Sequence, residues 1–296
     1  MLNGYNFYDC MEQECRHCFV SPVPSDEELL KAYDIDSSSI ANSDGWTLAE
    51  DYKRNPKIIH EYCKHTRLAW LEKVACEVLA DKMSYILDIG CSTGMFLRTL
   101  KDLGYSHLQG LDISPDAARF VSETHGVPCV TRIEDLPEGR FDLITCYAVL
   151  EHVGDPIAFV QSLSRKLKPN GKLAVLVPNY NSYYRKIVGK SWVWLIPPVH
   201  LQYFNMCSLR STMEKVGLKT QALTSGYSGT YLYLVVYHIM KLLGRQMPST
   251  SRSRDSGTMA FVEEIEKLLR LLLWPMRKLA KKHGHGNELL ILSSKC

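Results

Sequence analysis

From residue 86 onward, short apolar runs alternate with stretches of helical spacing. Ile86-Leu87-Asp88-Ile89 predicts a strand that breaks at Gly90-Cys91-Ser92-Thr93-Gly94. Residues 95–103 then have helical spacing and stop at Gly104. Leu108-Gln109-Gly110-Leu111-Asp112 predicts a second strand, and Ser114-Pro115-Asp116 starts the helix after it. Residues 128–131 and 141–147 predict two further strands. A helix from about residue 156 stops before Pro169-Asn170-Gly171, and residues 172–177 predict a fifth strand. Strands in alternation with helices predict an α/β fold with a parallel sheet wound on both faces.

The pattern continues less regularly. A helix over 208–216 ends at Gly217, 218–224 predicts a sixth strand, and 288–293 predicts a seventh. Upstream, Ile59, Tyr62, Leu68, Leu71, Val74, Ala75, Val78 and Leu79 predict one helix over 58–82. Phe19-Val20 predicts a strand, followed by a proline turn and a helix capped at Ser25 or Asp26 that runs through Tyr33. Residues 34–57, broken by Gly45 and Pro56, predict a linker or surface loop. Residues 179–204 are dense in aromatic side chains. Between the last two strands, 230–243 is apolar, 248–258 is a Ser/Arg-rich loop, and 261–282 is amphipathic with a kink expected at Pro275. The boundaries are therefore 1–34 for an N-terminal ribbon-like segment, 35–57 for a linker, 58–229 for the core, 230–283 for a helical insertion and 284–296 for the last core strand. No internal repeat is visible.

Composition adds constraints. The 296 residues are 46% hydrophobic and 23% charged, which is ordinary for a globular chain. The formal net charge of +3 is too small for a broad nucleic-acid footprint. No run approaches the roughly 20 apolar residues of a membrane span. The start lacks the pattern of a signal peptide, so a cytoplasmic location is expected. The basic amphipathic run over 259–283, with Trp274, has two readings: peripheral contact with a membrane interface, or packing against the sheet.

Ten cysteines are present. Most sit singly in apolar elements and read as small buried hydrophobes. Cys10, Cys15 and Cys18 crowd together, and Cys15-Arg16-His17-Cys18 has the C-x-x-C spacing of a zinc knuckle. A closed structural zinc site needs four ligands. Either the knuckle binds nothing, or a fourth ligand is supplied from elsewhere, for instance from sequence upstream of Met1.

The turn after the first strand carries the main chemistry. Gly90 and Gly94 leave a G-x-x-x-G spacing, which is neither the G-x-G-x-x-G of a dinucleotide loop nor a P-loop. Asp112 ends the second strand, where an acid can accept hydrogen bonds from ribose hydroxyls. Glu134-Asp135 follows the third strand and can accept from an adenine amine. Acids are tolerable against a cationic cofactor and far less so against phosphates.

Six ordered motifs resemble class I S-adenosylmethionine-dependent methyltransferases. They are Leu87-Asp88-Ile89-Gly90-Cys91-Ser92-Thr93-Gly94, Gly110-Leu111-Asp112-Ile113-Ser114, Glu134-Asp135-Leu136-Pro137, Phe141-Asp142-Leu143-Ile144, Leu150-Glu151-His152-Val153-Gly154-Asp155-Pro156 and Leu167-Lys168-Pro169-Asn170-Gly171-Lys172-Leu173. Cys15-x-x-Cys18 with Pro22-x-Pro24-Ser25, and Pro197-Pro198-x-His200-Leu201-x-x-Phe204, resemble the bacterial subgroup with an N-terminal zinc-ribbon-like segment, related to ubiquinone-biosynthesis O-methyltransferases. Ser92 stands where that pattern has a glycine.

The resemblance implies a Rossmann-like seven-stranded sheet with an antiparallel last strand. It implies S-adenosylmethionine as cofactor, a structural zinc through Cys10, Cys15 and Cys18, and a small-molecule, sugar or glycan acceptor methylated at oxygen. By the same resemblance Asp88, Gly90, Cys91, Ser92 and Gly94 hold the methionine end. Asp112 holds the ribose, Ile113 lies on the adenine, and Glu134 and Asp135 flank its edge. Cys146 and Tyr147 lie beside the sulfonium. A hydroxyl acceptor needs a base, for which His200 and His152 are the candidates, with His200 preferred. The rival readings are an RNA methyltransferase and a non-catalytic binding protein.

Overall fold

The computed structural model describes residues 4–12, 15–25, 28, 68–226 and 274–296. The N-terminal part contributes β1 (Asn6–Asp9) and β2 (Cys18–Ser21), then α1 (Ala69–Val74) and α2 (Cys76–Ala80). The core follows as β3 (Ile86–Ile89), α3 (Met95–Asp102), β4 (Leu108–Leu111), α4 (Pro115–Phe120), β5 (Cys129–Val130), β6 (Phe141–Tyr147), α5 (Pro156–Lys166) and β7 (Leu167–Pro178). Next come α6 (Tyr183–Val188), β8 (Gln202–Tyr203), α7 (Met206–Lys215), β9 (Leu218–Gly226), α8 (Trp274–Lys282) and β10 (Glu288–Lys295).

Seven strands form one sheet in the order β5-β4-β3-β6-β7-β10-β9. β3 pairs in parallel with β4 and β6, and β10 runs antiparallel to both β7 and β9. The chain therefore winds outward from β3 to one edge and returns to β6 on its other side. Ligands of doubly wound sheets bind at such a switch point, outside the carboxyl ends of the strands. The β3–α3 loop lies there.

Strand alternation sets the two faces of the core. Leu87, Ile144 and Val175 face α5 and α7, packing with Leu163, Leu209 and Met213. Their sequence neighbours Ile86, Leu143 and Ala174 face α3, packing with Phe96, Leu97, Leu100 and Leu71. The helix starts follow capping chemistry: the side chains of Ser114 and Asp155 accept from Ala117 N and Ala158 N, each ahead of a proline at the first helical position.

Three expectations change. β7 begins at Leu167 rather than residue 172, because Leu167 pairs with Phe141 while Lys172 pairs with Leu143. The residues between form an irregularity, with Asn170 at φ 62° and Gly171 so close to Phe141 that a Cβ would lie 2.8 Å from its carbonyl oxygen. The single helix expected to end near residue 82 is broken at Ala75 (φ −128°, ψ 29°). That bend leaves Leu71, Ala75 and Leu79 in the same core cluster. Residues 58–67 of that prediction lie outside the described residues, as do the 34–57 loop and the insertion up to residue 273.

The third change concerns the N-terminus. β1 and β2 form a hairpin, and β2 pairs with β8 from the aromatic segment. Cys18 and Val20 share a third core cluster with Tyr184, Trp192, Leu201 and Tyr203. Residues that patterning sets apart as 1–34 thus share a sheet and a core with 179–204. The Ser25 N–H donates to Glu28 Oε2 (2.8 Å) while its Oγ accepts from Glu28 N (3.3 Å), the reciprocal pattern of a capping box; the rest of the helix predicted through Tyr33 lies outside the described residues. Among the described residues no helix is long and apolar enough to cross a membrane.

Candidate functional site

The β3–α3 loop depends on left-handed backbone. Gly90 (φ 64°), Ser92 (φ 50°) and Gly94 (φ 70°) all lie in that region, which L-residues other than glycine adopt at a cost. A Cβ on Gly90 would collide with Val149, and one on Gly94 would lie 2.8 Å from Val121 Cγ2. The loop is tied to β4: the Gly90 and Cys91 N–H groups donate to the Leu111 carbonyl (2.8 and 3.1 Å). Gly94 caps α3 with no side-chain bond, so the helix start presents its N–H groups to an anionic group such as a ligand carboxylate.

Asp112, just past β4, is bonded directly to this loop. Its Oδ2 accepts from Ser92 N (2.8 Å) and its Oδ1 from Ser114 N (3.0 Å). Ile113 beside it is 61% exposed, an apolar surface next to the ribose-type acid. Glu134 and Asp135 lie exposed on a short 3-10 turn, with Glu134 3.5 Å from Arg132. Asp88 is buried beneath the loop, and its Oδ1 accepts from Thr145 Oγ (2.7 Å). A tight glycine loop that tolerates no Cβ at Gly90 or Gly94, an open helix start, an acid and an exposed apolar side chain fit S-adenosylmethionine.

Two cysteines contribute differently from expectation. The Cys91 side chain turns inward, with Sγ 3.5 Å from Cys129 Sγ. Both thiols sit over Gly110, where a Cβ would lie 3.0 and 2.9 Å from them. The bond to Cys129, with burial, raises the Cys91 pKa and keeps the thiol protonated. Cys146 is fully buried in the core. Tyr147 is also buried, its ring 6.4 Å from those of Phe96 and Trp70. The side chains of Cys91, Cys146 and Tyr147 therefore belong to the core and not to an exposed binding surface. The exposed residue at the β6 tip is Ala148, with φ 53°.

The two histidines meet. Their rings lie 4.7 Å apart and nearly perpendicular. With Glu151, their polar atoms all fall within 4.8 Å of one another. His152 Nδ1 is 2.8 Å from the Val199 carbonyl and so must donate, which leaves Nε2 as the acceptor nitrogen. His200 is 4% exposed, and its ring stacks on Trp194 (5.8 Å, 9°). Burial, with His152 adjacent, holds its pKa well below the usual imidazole range. Burial also pushes the Glu151 carboxyl up to about 8, so it is mostly protonated at neutral pH.

The three N-terminal cysteines separate. Cys10 and Cys15 cluster with Glu12, whereas Cys18 is buried in the aromatic cluster beside Tyr180. A knuckle needs Cys15 and Cys18 to face one ion. Here strand alternation in β2 turns Cys18 inward with Val20. His17 is likewise engaged, with Nε2 2.8 Å from Gln202 Oε1.

Sequence patterning missed Thr145, Glu151 and Asn205. Only Glu151 carried a signal, as the acid next to His152 in a polar break after a buried strand. Asn205 joins two elements: its Oδ1 accepts from Cys207 N and Ser208 N at the start of α7, and its Nδ2 donates to the Cys15 and Arg16 carbonyls, both at 2.8 Å.

Comparison with known proteins agrees with this fold. A family described as "Methyltransferase domain" matches residues 55–223. A ubiquinone biosynthesis O-methyltransferase of Proteus mirabilis is 28% identical over 178 residues, covering 56% of this chain and 69% of that protein. The enzyme of that name from Xanthomonas oryzae is 31% identical over 125 residues, 38% of this chain and 52% of that one. The phosphoethanolamine N-methyltransferase 2 of Haemonchus contortus, solved with S-adenosyl-L-methionine, superposes with a TM-score of 0.50 over 80% of this chain and 56% of that one at 14% identity. This chain belongs to the methyltransferase-domain family and is a class I S-adenosylmethionine-dependent methyltransferase.

Proposed function

We propose that the protein methylates an oxygen of a small-molecule or glycan acceptor, with His152 as the base. One observation carries the choice of base. His152 gives its Nδ1 proton to the Val199 carbonyl and keeps Nε2 as an acceptor, in a ring that is 17% exposed, whereas His200 is almost fully enclosed. This reverses the preference for His200. Bound S-adenosylmethionine supplies an electrophilic methyl group on its sulfonium. Asp112, Gly90–Gly94 and the start of α3 hold the cofactor in place. His152 Nε2 takes the proton of the acceptor hydroxyl as the new bond to oxygen forms. His200, itself stacked on Trp194, packs against the His152 ring and shields that side from water.

The names of the curated relatives support oxygen as the acceptor atom, and the small net charge favours a small molecule over nucleic acid. Exposed Trp274 and Leu279 on the lysine-bearing α8 support peripheral contact with a membrane surface. The test is transfer of labelled methyl from S-adenosylmethionine to a panel of phenolic and saccharide hydroxyls, with amines and RNA alongside. Label on a hydroxyl is expected, with His152→Ala lowering kcat at least ~100-fold at unchanged cofactor affinity. Label found only on amines or RNA, or full activity in His152→Ala, would overturn the reading.

A further inference from the structure

The C-x-x-C spacing and the zinc-ribbon resemblance imply a metal held by Cys10, Cys15 and Cys18. The fold does not bring those three together. Cys18 opens β2 in register with Asp9 and Tyr203, and it is 1% exposed among aromatic side chains. The Tyr180 hydroxyl and Asp9 engage its thiol there. Reaching a metal beside Cys15 would require breaking the β2 register and emptying its place in the third core cluster.

A different set stands ready. We propose that the β1–β2 loop binds one thiophilic divalent cation, zinc, through Cys10, Cys15 and the carboxylate of Glu12. Their ligand atoms lie within 4.8 Å of one another. Tetrahedral zinc with Zn–S near 2.3 Å puts its donors roughly 3.5–3.8 Å apart, so small side-chain rotations close the site.

The loop is already shaped for this. The Cys10 N–H donates to the His17 carbonyl (2.7 Å), closing its base, and the Cys15 N–H donates to the Glu12 carbonyl (3.0 Å). Asn205 clamps it from outside through the Cys15 and Arg16 carbonyls. Arg16 takes the left-handed turn (φ 44°) that ends the loop before β2.

Charge is consistent too. Two thiolates and a carboxylate against Zn2+ leave one net negative charge, and binding releases two protons from the thiols. Arg16 adjoins the site. Cys10 also lines a cleft of about 810 Å3 whose walls carry Arg16 and Arg185 as well as Asp9. Three protein ligands leave a fourth position for water or a donor atom of a bound molecule, the open arrangement rather than the closed structural one.

The test uses the full chain, reduced and metal-free, titrated with Zn2+ and with Co2+ as a spectroscopic stand-in. One ion per chain is expected, with a thiolate-to-Co2+ charge-transfer band and proton release on binding. Cys10→Ser and Cys15→Ser should each weaken binding at least ~100-fold and diminish the band. Glu12→Gln, an exposed change, should weaken binding about 10-fold and leave the band. Cys18→Ala should keep both stoichiometry and band. On wild type, zinc should slow alkylation of Cys10 and Cys15 and leave the rate at Cys18 unchanged, a readout independent of any variant's folding. No bound metal in wild type overturns the proposal, and so does zinc-dependent protection of Cys18 together with unaltered binding by Glu12→Gln.

Discussion

At the scale of single residues, the loop and the buried acid give the sharpest expectations. Asp112 accepts two backbone N–H bonds and is the expected partner of the cofactor ribose. Asp112→Ala should weaken S-adenosylmethionine binding by roughly 10- to 100-fold, the worth of charge-assisted bonds of about 1.5–3 kcal/mol, read by calorimetry. Gly90→Ala combines a left-handed backbone with a collision against Val149. It should cost about 2 kcal/mol or more and abolish cofactor binding, with Val149→Ala restoring part of the lost stability. Glu151 titrates near 8 in the fold and near 4.5 in the unfolded chain. Its stabilising contribution is full below pH 4.5 and is lost as pH rises to about 8, because only the unfolded state ionises in that window. His200 has the opposite sign, since its lowered pKa removes stability as pH falls below 6.5. Glu151→Gln should therefore remove the fall in Tm between about pH 4.5 and 8 and leave the dependence below pH 4.5 alone.

At the scale of elements, patterning was most legible where the chain repeats strand and helix. β6 matches its predicted bounds, and α5 and α7 match within two residues. Their periods and caps are local, so neighbours in sequence suffice to specify them. β1 and β8 were not foreseen, because a strand of two residues has no period and β1 is held by β2 rather than by its own composition. Asn205 is the element-scale hinge. It completes a capping box on α7 and ties α7 to the β1–β2 loop. Asn205→Ala should cost about 1–2 kcal/mol in a denaturant melt, more than a cap alone, while Ser208→Ala should cost less because it leaves that tie intact.

At the scale of the whole molecule, one residue joins three regions. The Leu201 N–H donates to the Glu151 carbonyl (2.8 Å), and its own carbonyl accepts from Val20 N (2.9 Å). Its side chain is fully buried in the aromatic cluster. The N-terminal hairpin, the aromatic segment and the turn carrying His152, the proposed base, therefore share one support. Leu201→Ala should cost about 2–5 kcal/mol and also lower kcat, since the Val199 carbonyl two residues upstream orients His152. A variant that loses stability yet retains wild-type kcat would show that the hairpin does not position the base.

The sequence pointed to the cofactor through its motifs: residue spacing excluded a dinucleotide loop and a P-loop, and the resemblance of six ordered motifs implied S-adenosylmethionine. The spacing of Gly90 and Gly94, with Asp112 and Glu134-Asp135 at the following strand ends, is a chain-local pattern that follows directly from strand–turn–helix geometry. The sequence could not tell which of two histidines keeps an acceptor nitrogen, whether Cys91 faces ligand or core, or which cysteines share a loop face. Those depend on pairings between residues far apart in sequence: Val199 with His152, Cys91 with Cys129, and Cys18 with Tyr203. Burial and strand register decide them, and both exist only once the sheet has closed.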